Sequence, residues 1–219
     1  MIRPLFVLLA GFGLAATAFA DSPDIDKVNG SIHVDDNSTA GKLTTVNGGI
    51  HVGAGAHASS VETVNGGIDI GAGAGVASVE TVNGGVRLGG KVTVAKTVET
   101  VNGSISLDGG ADVAGKLSNV NGGIKLDAAH VGGGLQTVNG DVTVGANSRV
   151  EGGIFIDEDH SMFHWGTPRK PRIVIGPHAV VQGKLTFKRD VELFVSDSAT
   201  IGVVEGATAQ KFSGDQPPQ

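Results

Sequence analysis

Val46-Asn-Gly-Gly-Ile-His-Val52 is followed by Val64-Asn-Gly-Gly-Ile-Asp-Ile70 and then by Val82-Asn-Gly-Gly-Val-Arg-Leu88. The Val-Asn-Gly phrase begins at Val28, Val46, Val64, Val82, Val101, Val120 and Val138, in steps of 18 or 19 residues. A fixed period of this size is the signature of a solenoid, in which each repeat buries its apolar face only by stacking on its neighbours. Counted from the valine, apolar residues fall into columns. Four on stand Ile32, Ile50, Ile68, Val86, Ile105, Ile124 and Val142; six on stand Val34, Val52, Ile70, Leu88, Leu107, Leu126 and Val144. Twelve on, the column runs from Ala40 to Val150, and three before the valine it runs from Ile25 to Leu135.

The alternation in Val-x-Gly-x-Ile-x-Val is the period of a strand with one buried face. It places Val46, Ile50 and Val52 inward and His51 outward. Glycine, 36 of 219 residues, is too abundant for helices. The fold class expected is therefore all-β: a single-stranded parallel β-helix of about 18-residue coils, each stacked about 4.8 Å above the last. The preference of parallel crossovers predicts a right-handed helix.

The ends read differently. Residues 1–20 carry Arg3, an apolar run from Leu5 to Ala16 and Ala18-Phe-Ala20, the three parts of a secretory signal peptide. Export is expected, with the protein in the periplasm, at the cell surface or secreted, and with no transmembrane span after cleavage. The chain has no cysteine, so no disulfide supports the fold. Its formal net charge is −6, against nucleic acid as a partner. Residues 21–206 are read as the solenoid, with regular coils over 25–150, and 207–219 as a disordered tail.

The phrase ends at Gly140, but its apolar pattern continues. Val150-Glu-Gly-Gly-Ile-Phe-Ile156 and Val181-Gln-Gly-Lys-Leu-Thr-Phe187 keep the order of the repeat at a separation of 31 residues. Placing Ile156 in the six-on column and Ile175 in the twelve-on column puts the excess in Asp157 to Arg172, as a loop excursion. Phe187 and Phe194 are expected to plug the far end of the stack.

These Thr-Val-Asn-Gly-Gly-Ile-x-Val repeats resemble a bacterial adhesin-like β-solenoid family with T-V-N-G-x-I repeats. Ile173 to Leu185, IVIGPHAVVQGKL, is similar to the coils of bactofilins, the polymer-forming bacterial cytoskeletal proteins; the bactofilin-like coils and cap cover 173–206. Together the two resemblances span most of 25–206. They imply a structural or surface protein of the cell envelope, without catalytic residues. Bactofilins are typically cytoplasmic, and the export signal departs from that pattern.

Candidate chemistry is sparse. Asn29, Asn47, Asn65, Asn83, Asn102, Asn121 and Asn139 can form a stacked amide ladder, with Asn-Gly supplying turn conformations. Trp165, Arg169, Lys170 and Arg172 in the excursion are the candidate binding residues, fitted to an anionic or sugar surface such as envelope polysaccharide, or to another envelope protein. His160 and His164 have no third ligand in a defined position, so no metal or other cofactor is assigned. Glu62, Glu80 and Glu99 read as a solvated stripe. The threonines before the valines form a row of the kind that templates ordered water. Polysaccharide-active enzymes also use β-helices, but no carboxylate pair can be assigned. The expectation is a non-enzymatic structural or adhesin-like solenoid; the alternative is a filament built by end-to-end self-association.

Overall fold

The computed structural model describes residues 22–158 and 169–218. They form a parallel β-solenoid of about ten coils, with no helix. No helix among the described residues is long and apolar enough to cross a membrane. Each coil has three faces. The first carries the segment that ends at the asparagine, the second a three-residue strand such as Ile50–Val52. The third leads into the first of the next coil. In early coils one strand, His57–Asn65, runs through that last corner. Further along, glycine enters the corner and the strand divides, as in Asp112–Val113 and Leu117–Ser118 on either side of Gly115.

Successive coils pair in parallel and in register: Ile50 with Ile68, Val61 with Val79, Leu107 with Leu126. Like residues therefore stack on like, and the four aliphatic columns read from the sequence lie in the core. Each fully buried Ile, Leu or Val contributes about 1.5–3 kcal/mol over its exposed state. A fifth column, Ala56, Ala74, Val92, Ala111 and Ala129, is also buried.

The phase of the first face differs from expectation. The valine of Val-Asn-Gly points outward: Val46 is 38% exposed and Val64 39%. The preceding threonine points inward: Thr45 and Thr81 are 1% exposed. Leu43 and Thr45 therefore share one face, and the corner at Asn47-Gly48 resets the alternation before Ile50. This also removes the threonine row from the surface. Four of the five hydroxyls donate instead to the carbonyl of the glycine in the coil beneath: Thr45 to Gly30 at 3.1 Å, Thr63 to Gly48 at 2.9 Å, Thr81 to Gly66 and Thr100 to Gly84 at 3.0 Å.

The corner glycines answer to close approach. A Cβ on Gly84 would stand 1.9 Å from the Gly66 carbonyl oxygen, and one on Gly103 1.9 Å from that of Gly84. The ladder asparagines do not adopt positive φ, whereas Asn37 and Asn147, in the corners after the second face, do.

The later coils correct the register. Val150 pairs with Val131 on the third face, and Ile154 and Ile156 pair with Leu135 and Thr137 on the first. Ile173 and Ile175 lie on the second, beside Val142 and Val144. The excursion therefore leaves at the first-to-second corner, the place of Asn-Gly in the regular coils. Phe187 lies in the core column after Ile156. Phe194 lies on the outer side of the second face, beside Val174, and does not plug the end. The stretch read as a tail is partly strand: Ala209–Phe212 pairs with Leu193 to Ser196, and Phe212 is buried.

Candidate functional site

The first-to-second corner carries the most extended polar structure among the described residues. The side-chain amide of each ladder asparagine donates to the one before it. Asn47 donates to Asn29, Asn65 to Asn47, Asn83 to Asn65 and Asn102 to Asn83, all at 3.0 Å; Asn121 donates to Asn102 at 2.8 Å and Asn139 to Asn121 at 3.2 Å. Parallel, in-register stacking holds the amides one coil apart, so each donor finds the next acceptor. All the bonds run the same way. The last acceptor, Oδ1 of Asn139, receives Nη1 of Arg189, which also donates to the Val138 carbonyl at 3.3 Å.

The excursion begins where the ladder ends. Trp165 lies outside the described residues, as do His160, Phe163 and His164. The returning segment holds Arg169, Lys170 and Arg172, each with a partner in the chain. Arg169 pairs with Asp141 at 2.6 Å and Lys170 with Asp190 at 3.1 Å. The Arg172 backbone N–H donates to Asp141 at 2.8 Å, and its guanidinium lies 4.6 Å above the Phe194 ring and donates to the Pro218 carbonyl at 2.6 Å. These contacts anchor the base of the excursion and hold the C-terminal segment against the second face. Arg169 and Lys170 remain more than half exposed, with N–H donors to spare for carboxylate or hydroxyl oxygens.

The carboxylate of Asp141 organises this base, and the sequence reading missed it. The signal was present: its position holds Ser31, Gly49, Gly67, Gly85, Ser104 and Gly123 in the other coils, and an acid only beside the excursion. The C-terminal segment also bounds a cleft of about 890 Å³, lined by Lys125, Arg172, His178 and Asp215 among others.

A second hollow, about 670 Å³, crosses the second face over Gly49, Gly67 and Gly85. His33 and His51 stack along its wall at 4.9 Å, and His51 meets Asp69 at 3.2 Å. Arg87 pairs with Asp108 at 2.9 Å; that hydrogen bond first, then the charge, raise the guanidinium pKa. On the first face Lys42 reaches Glu62 at 2.9 Å, and its pKa is raised for the same reasons in the same order. Glu99 meets Lys116 at 3.8 Å, so the acidic stripe is partly neutralised. Comparison with protein-family models, curated proteins and solved structures finds no match.

Proposed function

We propose that this chain is an exported, non-enzymatic structural or adhesin-like β-solenoid of the bacterial cell envelope. One observation carries the reading: the excursion is inserted without disturbing the stack. Ile154 pairs with Leu185 across it, and Val144 with Ile175, with the registers on both sides intact. The solenoid acts as a stiff support and presents one non-repeating corner. Loops on rigid scaffolds are where binding is most often placed. Trp165, with Arg169 and Lys170 at the excursion's base, is the contact surface for envelope polysaccharide or another envelope protein, and residues 1–20 direct export.

The test has two parts. Cell fractionation should find the protein outside the cytoplasm, dependent on residues 1–20. Deletion of 159–168, which leaves Arg169 and its partner Asp141, should abolish retention on isolated envelope polysaccharide. Cytoplasmic protein, or undiminished retention, would overturn the corresponding half.

A further inference from the structure

Among the described residues, the first and last coils share a feature that the coils between them lack. Lys27 is in register with Thr45 and so occupies the first-face column that is buried threonine in the next four coils. It is exposed, and its Nζ donates to the Ser31 carbonyl at 2.7 Å. At the other end Lys211 is in register with Val195. It occupies the six-on column, which is otherwise Val, Ile or Leu from Val34 to Val195, and it too is exposed. A charged residue in a core column is tolerated only where no further coil covers it, since covering it would remove an unpaired ammonium from water. Inward-pointing charges on edge strands are a known means of preventing edge-to-edge pairing.

Extending the observed registers by one coil shows what head-to-tail stacking of a second copy would bring together. Val204 would lie on Ile25 and Ala209 on Ile32, a compatible apolar pairing. Lys211 would lie on Val34, burying its charge against an aliphatic side chain. The backbone edges are otherwise suited to each other, because parallel strands expose complementary donors and acceptors at opposite ends of the stack.

We propose that Lys27 and Lys211 are stops that keep the solenoid a unit of defined length and block its growth into filaments. The inference is independent of what the excursion binds. The test compares the wild-type protein, as the cell delivers it, with the Lys27→Thr/Lys211→Val variant. Both changes copy the residue of the adjacent coil, Thr45 and Val195. Sedimentation and negative-stain electron microscopy should find wild type as single rods at all concentrations. The variant should gain mass with concentration and form longer rods of the same width, while Lys125→Val, on an outward column, should not. Wild-type rods that lengthen with concentration would overturn the proposal. So would a variant that stays single, or one that forms only amorphous aggregate.

Discussion

Thr63 donates its hydroxyl to the carbonyl oxygen of Gly48, 2.9 Å away in the coil beneath, while Val64, the next residue, lies on the outside. The more polar side chain is in the core because the corner has a carbonyl to satisfy. Thr63→Val should therefore destabilise the protein by about 1–2 kcal/mol, the cost of an orphaned buried acceptor, measured by urea titration. Val64→Thr should shift the midpoint by no more than about 0.5 kcal/mol.

Thr137 makes the opposite case. Its hydroxyl is buried without a hydrogen-bond partner, and the Gly122 carbonyl accepts instead from Asn119 at 2.7 Å. Thr137→Val should be neutral, or stabilising by up to about 1 kcal/mol. A loss as large as that from Thr63→Val would show that the hydrogen bond is not what distinguishes the two sites.

Within the aliphatic columns the expectation is severe. Ile68 is 2% exposed and stacked between Ile50 and Val86. Ile68→Asp should cost well over about 3 kcal/mol, because a lone carboxylate is then enclosed by hydrocarbon. Guanidinium titration checks this; a shift under about 1 kcal/mol would place Ile68 on the surface.

The asparagine ladder is directional, and substitution should reveal it. Asn83→Ala removes two amide bonds, one donated to Asn65 and one accepted from Asn102. A loss of about 1–2 kcal/mol is expected, reduced by solvent access. Asn29→Ala removes only the bond accepted from Asn47 and should cost about half as much. Thermal unfolding of the pair measures the ratio, and equal losses would contradict a ladder acting through its bonds.

The legibility of the fold in its sequence was uneven. The columns through Ile50, Val52, Ala58 and Val61 could be read because their apolar residues recur at one spacing. Thr45 and Val46 could not be phased by the same logic. Both residue types favour strands, and the alternation is reset at a corner where Gly48 packs against the coil below. The last coils were misaligned because Val-x-Gly-Gly-Ile-x-Ile copies the letters of the repeat on different faces. Only pairing partners, Ile154 with Leu135 and not with Val142, resolve that. At the excursion the candidate cations were visible, but Asp141, Phe194 and Pro218, which engage them, are separated from them in sequence or carried by another coil.

The inward threonine and outward valine are the point on which the account depends, since they fix the phase of the first face in the coils from Thr45 to Thr100. The chain has no cysteine, so single thiols can be introduced and their reaction rates with a water-soluble maleimide compared in the folded protein. Thr63→Cys should be protected until the protein is unfolded, and Val64→Cys should react within the time of mixing. Rapid reaction at position 63 with protection at position 64 would contradict the account.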